Sequence, residues 1–167
     1  QYVPNFQADR SIGNLGDLAI VPYYSVKGSW VTGVHITNSS QFTQVVKLRL
    51  RRATDSMDAM DFNLILSPYD VWTGFLSDDS GNVVFATDDN SCTAPLRADG
   101  RFEMPFIFRA GADEGYIEVI SMGQTEDYEV GKDGSITEYS AIATAAKHDS
   151  DGVPFDCQSV ESNFFAN

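Results

Sequence analysis

The sequence is poor in basic residues and has no long apolar run, and each shortage excludes a class of protein. Eleven lysines and arginines face 24 aspartates and glutamates, which gives a formal net charge of -13 and a pI near 4.2. Such a field repels phosphate polymers, so nucleic acid is a poor partner for this chain. No stretch approaches the roughly 18 consecutive apolar residues of a membrane-spanning helix.

Cysteine is also scarce. Cys92 and Cys157 lie 65 positions apart, with no CxxC spacing and no histidine at ligand distance. This argues against a zinc site or a redox dithiol. A structural disulfide in an exported protein is one interpretation, and two unrelated buried thiols are the other.

The start of the chain has neither an initiator Met nor the basic and apolar regions of an export signal. We therefore expect a mature extracellular or cell-surface protein whose signal peptide has been cleaved, although a trimmed fragment would begin in the same way. With 43% hydrophobic residues, 167 residues suffice for one domain with a substantial core. We expect that domain at residues 15–167, with residues 1–14 as an N-terminal extension and possible donor strand.

Short apolar or alternating runs, separated by Gly, Asp and Asn, predict strands rather than long helices. The predicted strands are 17–24, 29–37, 43–53, 59–67, 70–76, 82–87, 101–108, 115–122 and 126–130. Their spacing is typical of a mainly β fold, a jelly-roll-like or Ig-like antiparallel β-sandwich.

One segment has a helical pattern instead. Ser135 and Glu138 have the spacing of a capping box, and the Ala-rich run that follows ends in Lys147 and His148. Cations suit the C-terminal end of a helix because of its dipole. The sequence therefore predicts one short helix near residues 136–148.

The stretch VVKLRLRR, residues 45–52, concentrates basic charge in an acidic chain. In a strand, Val46, Leu48 and Leu50 share one face and the basic side chains share the other. The basic side chains on that second face are Lys47, Arg49 and Arg51. They either form a solvated face that discourages edge aggregation or contact acidic turns of a neighbouring copy.

The first residues of the chain, QYVPNFQA, alternate in the manner of a strand. The two sets are Tyr2, Pro4, Phe6 and Ala8, and Val3, Asn5 and Gln7. Such a segment either packs on its own domain or adds as a strand to the next subunit, with Tyr2, Val3 and Phe6 as assembly residues. Pro4 permits only partial ladder bonding and so suits an edge. The apolar Val160, Phe164 and Phe165 near the other end allow the same two interpretations.

Motifs for enzymatic chemistry are absent: the chain has no HExxH, P-loop, GxSxG or dinucleotide-binding glycine pattern. His35 lies within a predicted strand and His148 closes the predicted helix, so both are expected to be structural. The paired carboxylates occur in predicted turns. We therefore expect no catalytic residues and a protein that is not an enzyme.

Two binding chemistries stay open. Asp149, Asp151 and Asp156 resemble the opening of a calcium loop without its later Glu, and Asp78, Asp79 and Asn82 form a weaker set. Exposed aromatic rings would mark a sugar-binding platform. The candidates are Trp30, Trp72, Tyr23, Tyr24 and Tyr69. Because Trp30 shares its predicted strand face with Val34 and Ile36, the pattern favours core packing for these rings.

Several runs together resemble uncharacterised secreted cell-surface β-sandwich proteins of Gram-negative bacteria. They are VPYYSVKGSWVTGVHITNSS, VKLRLRRATDSMDAMDFNLILSPYDVWTG, DNSCTAP, EGYIEVISMG and VPFDC, and they cover most of residues 16–157. The resemblance implies export, a β-rich fold and pairing of Cys92 with Cys157. It implies no activity.

We therefore expect a non-enzymatic structural subunit of an extracellular filament or surface polymer. It would bind other copies of itself by strand addition, as a homopolymer, and not nucleic acid. The alternative is an extracellular carbohydrate- or ligand-binding module, with calcium as a possible cofactor. A secreted hydrolase with unrecognised carboxylates is a third hypothesis.

Overall fold

A computed structural model of the chain describes residues 11–13 and 15–166. Within these residues there are eleven strands and two α-helices. The strands are β1 (Leu18–Ser25), β2 (Thr32–Thr37), β3 (Gln44–Arg52), β4 (Asp58–Leu66), β5 (Val71–Asp79), β6 (Asn82–Ala86), β7 (Cys92–Ala94), β8 (Arg101–Glu103), β9 (Glu114–Gln124), β10 (Tyr128–Val130) and β11 (Ile136–Glu138). The helices are α1 (Ala141–Ala146) and α2 (Cys157–Ala166).

Two antiparallel sheets pack face to face as a sandwich. One has five strands in the order β1-β9-β3-β4-β7, and the other has four in the order β2-β5-β6-β8. Strands β10 and β11 form a separate hairpin. The prediction of a mainly β antiparallel sandwich is confirmed. The edges of the two large sheets are β1 and β7, and β2 and β8.

The core lies between these two sheets and is rich in aromatic rings. Val46, Leu48 and Leu50 of β3 are all buried, as the alternation of the sequence predicts. The Phe62 ring stacks on Phe102 at a centroid distance of 3.9 Å, so it joins the five-stranded sheet to β8 across the core. The contact between these two rings therefore helps to hold the two sheets together.

The helix predicted near residues 136–148 is present but shorter, at Ala141–Ala146, and the main difference is at its N-terminal end. Residues 136–138 form β11, and the Glu138 carboxylate accepts hydrogen bonds from the Thr43 N–H (2.8 Å) and Oγ1 (2.7 Å). The true N-cap is Ser140, whose Oγ accepts from the Ala143 N–H at 3.1 Å. Helix α1 starts after it, at Ala141. The capping-box spacing was misleading because Glu138 finds a partner on a distant segment.

Three further predictions need correction. The strand expected from residue 29 begins only at Thr32, because Lys27–Ser29 form a 3-10 helix. Trp30 therefore precedes the strand and is 72% exposed, so its expected place in the core is wrong. The strand expected to reach residue 108 ends at Glu103, and helix α2 has no counterpart in the prediction.

The two helices cover part of the outer face of the five-stranded sheet. Ala146 of α1 and Val160 of α2 are buried there against Ile65, Cys92 and Ala94. Cys92 and Cys157 form a disulfide, which attaches the first residue of α2 to edge strand β7. This confirms the disulfide interpretation of the cysteines. Val160 and Phe164 of the C-terminal segment pack on their own domain, whereas Phe165 is exposed.

We expect the double substitution Cys92→Ala/Cys157→Ala to lower the free energy of unfolding by about 2–4 kcal/mol, because the bridge closes a long loop in the unfolded chain. Urea denaturation checks the loss. Hydrogen exchange should show α2 losing protection before the sheets do, and equal loss in both would contradict the placement of α2 as a tied-on layer.

Gly74 offers a test of the core itself. A Cβ at this position would overlap the rings of Trp72 and Phe85, whereas at Gly33, in the adjacent strand, it would lie 3.4 Å from the Phe75 ring. We expect Gly74→Ala to destabilise by about 1–3 kcal/mol, since overpacking forces the core apart. Gly33→Ala is the matched control and should stay within about 0.5 kcal/mol of the parent in the same denaturation experiment.

Candidate functional site

The edge strands β1 and β2 lie on the same side of the sandwich and are fastened together at one end. Thr32 Oγ1 donates to the Ser25 carbonyl at 2.9 Å and accepts from the Ser25 N–H at 3.2 Å. We call this the clamp. At the other end of both strands, away from the clamp, a groove of about 390 Å³ opens between the two sheets.

Apolar side chains from both sheets line the interior of this groove. They are Ala19, Val21, Val34, Ile36, Val46, Leu66 and Val119. All of them except Ala19 belong to the main core or pack against it, so the groove is an opening into the flank of the core. The rim is polar and includes Asp17, Thr37 and Ser121.

Strand β1 turns part of its backbone away from the sheet. The Ser121 N–H donates to the Asp17 carbonyl at 2.8 Å, and with the observed register this directs Ala19 and Val21 towards β9. The N–H and C=O groups of Leu18 and Ile20 therefore point outwards. Pro22, the next residue in this outward row, has no N–H, and the register shifts between Val21 and Tyr24.

Strand β2 has a longer uninterrupted row. The Asn38 N–H donates to the Asp70 carbonyl at 2.8 Å, so the register directs Val34 and Ile36 towards β5. Gly33, His35 and Thr37 direct their N–H and C=O groups away from it. Across residues 11–13 and 15–166, no backbone partner is found for either outward row.

Asn38 holds the polar end of the groove. Its Nδ2 donates to the carbonyls of Phe42 (2.7 Å), Ser67 (2.9 Å) and Leu66 (3.2 Å). Its Oδ1 accepts from the Ser40 N–H at 3.0 Å. The ITNSS segment thus bonds its own backbone and the end of β4, which fixes the end of β2 beside the opening.

The basic residues of β3 lie on the opposite face of the five-stranded sheet from the groove. Lys47 Nζ is 3.9 Å from an Asp61 oxygen, and Arg49 Nε is 3.4 Å from an Asp58 oxygen. Arg51 pairs with Asp58 at 3.1 Å and with Glu118 of β9 at 3.0 Å. The hydrogen bond to Glu118 raises the pKa of Arg51 further. Carboxylates of the flanking strands thus neutralise this ladder within one copy, and a role between copies stays a prediction.

Two of the three carboxylates proposed as calcium ligands, Asp149 and Asp156, accept hydrogen bonds from backbone N–H groups. Asp149 Oδ1 accepts from the N–H groups of Asp151 (2.9 Å) and Val153 (3.0 Å), and Asp156 Oδ1 accepts from the Ser159 N–H (3.0 Å) at the start of α2. In the part of the chain that the structure describes, no three His, Cys, Asp or Glu side chains gather into a group that could hold a metal ion. In the weaker candidate set, the Asp79 carboxylate forms an ion pair with Arg101 at 2.7 Å.

His148 belongs to a polar network between the loops at the groove end of the sandwich. Its Nδ1 lies 2.9 Å from Ser67 Oγ and its Nε2 lies 3.3 Å from Asn90 Oδ1. The Asp70 carboxylate is 3.8 Å from the same Nδ1. A hydrolase triad needs serine and carboxylate on different ring nitrogens, so this arrangement does not match one. His35 is exposed on the outward row of β2.

The aromatic candidates do not form one platform. Trp72 and Tyr24 are core residues, and burial together with the nearby Asp113 charge raises the pKa of Tyr24 to about 12. Trp30, Tyr23 and Tyr69 are exposed. Trp30 follows the 3-10 helix at the clamp end, whereas Tyr69 lies between β4 and β5 at the groove end. The rings therefore lie at opposite ends of the sandwich.

Neither a protein-family model, nor a curated protein, nor a solved structure matches this chain. None of the helices within residues 11–13 and 15–166 is long and apolar enough to cross a membrane.

A second cavity, also of about 390 Å³, lies under the helices on the outer face of the five-stranded sheet. Its apolar lining includes Val45, Met122, Ile142 and Phe164. Both cavities were missed by the sequence analysis. Each is bounded by segments that are far apart in the chain, and only the alternation of polar and apolar residues at the strand edges could have indicated the first.

The ion pairs of Arg51 can be tested by mutation. We expect Arg51→Ala to cost about 1 kcal/mol of stability at low salt and less in 1 M NaCl, where a half-exposed pair is screened. Lys132→Ala is the control, because Lys132 lies in the β10–β11 turn without an ion pair among the described residues. If Arg51→Ala leaves stability unchanged but abolishes self-association, the ladder acts between copies instead.

Proposed function

We propose that this protein is an exported structural subunit of an extracellular filament or surface polymer, assembled by strand addition between copies. The observation that carries the proposal is the groove between β1 and β2. It combines an apolar interior with two rows of outward backbone groups, the two requirements for receiving an extended segment.

The edge strands of the two sheets differ in length and in how well they are covered. Strand β7 is covered by α2 and tied to it by the disulfide, and β8 has only three residues. Strand β1 has eight residues and exposes Leu18 and Ile20, each 58% accessible. Proteins normally protect long edges with charge, bulges or a covering element. Pro22 and the bulge protect the end of β1 near the clamp, but within the described residues no strand pairs outside Leu18 and Ile20, which supports a docking surface there.

The proposed occupant is the segment of residues 1–10 from a neighbouring copy. These residues, which include Tyr2, Val3 and Phe6, lie outside the described part of the chain. Their alternating sequence suits a strand with one apolar face. In the chain they precede Leu15, Gly16 and Asp17, which line the groove mouth, so a short connection joins the proposed donor to the domain that carries the groove.

A contact of this kind is heterologous, because the donor segment and the acceptor groove are different surfaces. Every copy that gives its segment keeps an open groove for the next copy, and such a contact extends into a fibre unless its rotation closes a ring. The Cys92–Cys157 disulfide is consistent with an oxidising location outside the cytoplasm, which supports export.

Deletion of residues 1–12 tests the proposal. We expect polymers of the full chain in negative-stain electron microscopy, and a folded monomer after deletion, by sedimentation and near-ultraviolet circular dichroism. Phe6→Asp should have the same effect. Phe106→Asp is the control, because Phe106 is equally apolar, 82% exposed and outside the groove lining.

Two outcomes would overturn the proposal. Polymers that persist unchanged after the deletion would show that residues 1–12 are not the donor. A full chain that stays monomeric at high concentration and loses stability on deletion would show that the segment fills its own groove. In that case the apolar cavity under α1 and α2 favours the alternative, an extracellular ligand-binding module.

A further inference from the structure

We infer that β2, rather than β1, is the acceptor strand, and that Val3, Asn5 and Gln7 of the neighbouring copy pair with Thr37, His35 and Gly33, antiparallel to β2. This inference rests on the proposed function and specifies the edge, the direction and the register of the added strand.

The choice of edge follows from the outward backbone groups. On β2 three alternate residues, Gly33, His35 and Thr37, each present an N–H and a C=O, and the register with β5 is regular throughout. On β1 the row is interrupted, because Pro22 has no N–H and the strand bulges after Val21. An added strand can therefore form a complete ladder only along β2.

The facing of the added strand follows from the pairing. Residues of a hydrogen-bonded antiparallel pair project to the same side of the sheet. Gly33 and His35 project outwards, because the intervening Val34 faces the core. The bonded residues of the incoming strand therefore also project outwards. Its alternate residues project inwards, onto the apolar lining of the groove.

The sequence of the segment satisfies only one of the two possible facings. With Tyr2, Pro4 and Phe6 inwards, two rings enter the apolar groove and the amides of Asn5 and Gln7 stay in water. Pro4 then needs no N–H, since inward residues direct their backbone away from β2. With the facing reversed, Pro4 would leave a gap in the ladder and the two amides would enter the apolar lining.

The direction follows from where the chain enters. Leu15, Gly16 and Asp17 lie at the groove mouth, and β1 runs from there towards the clamp. The shortest path for a segment inserting into its own groove is antiparallel to β1, which makes it parallel to β2. A segment from another copy does not have to follow this path. It can pair antiparallel to β2, and antiparallel pairing has better hydrogen-bond geometry than parallel pairing.

Two single substitutions, one that removes Pro4 and one that adds a proline at position 5, test the facing. We expect Pro4→Ala to polymerise like the parent, because the new N–H points away from β2. Asn5→Pro removes a ladder donor opposite His35 and should weaken assembly about tenfold or more, measured as the critical concentration for polymer formation. Both substitutions lie outside the described residues. Equal assembly of the two variants would overturn the inferred facing.

Cross-linking tests the edge. Copies carrying Asn5→Cys are assembled with copies carrying His35→Cys under oxidising conditions, and the covalent dimer is measured on a non-reducing gel. Bonded antiparallel positions have Cα atoms about 5.5 Å apart, within disulfide range. Copies with Ile20→Cys, on the outward row of β1, replace His35→Cys as the control, and each single variant is also oxidised alone.

The outcomes separate the two proposals. Dimers at His35→Cys and not at Ile20→Cys support the inference. Polymers that cross-link at Ile20→Cys instead overturn the choice of β2 while leaving strand addition intact. If the parent chain forms no polymer, the proposed function fails, and a cross-link within a single copy carrying both Asn5→Cys and His35→Cys would show insertion into its own groove.

Discussion

Phe62, Trp72, Phe85 and Phe102 pack in one layer between two sheets, and the rest of the structure depends on the burial of this layer. Each sheet can cover only one side of the layer. Within residues 11–13 and 15–166, the flank between β1 and β2 is closed at the clamp and open beyond it. The same hydrophobic burial that stabilises the sandwich therefore leaves an apolar opening, whose edges carry outward backbone groups.

The two sides of strand β3 show how charge and apolar burial are separated in this protein. Its inward side chains, Leu48 among them, belong to the core, while Arg49 and Arg51 make ion pairs with carboxylates of β4 and β9 on the outer face. Acidic charge dominates the whole chain, yet here it is balanced locally. The groove, by contrast, has an apolar interior, so the proposed recognition of a donor segment depends on shape, backbone pairing and apolar contact rather than on charge.

Much of the sheet structure could be predicted because it is written in local patterns. The alternation of Val46, Leu48 and Leu50 with basic residues places β3 correctly, and its predicted bounds differ from the observed ones by one residue at each end. The sequence patterns did not predict the short elements correctly. Strand β7 depends on pairing with β4, a distant segment of the chain. Strand β11 pairs with the neighbouring β10, but the Glu138 carboxylate bonds Thr43 across 95 positions instead of capping a helix.

The sequence by itself determined the two-faced strands and the acidic net charge, because periodicity and composition are properties of the chain alone. Only the tertiary structure decided that β1 and β2 become neighbouring edges, that Trp30 is exposed while Trp72 is buried, and that the basic ladder meets carboxylates of its own sheets. Those outcomes depend on strand order and on contacts between distant segments, and local patterns carry no information about which strands become neighbours.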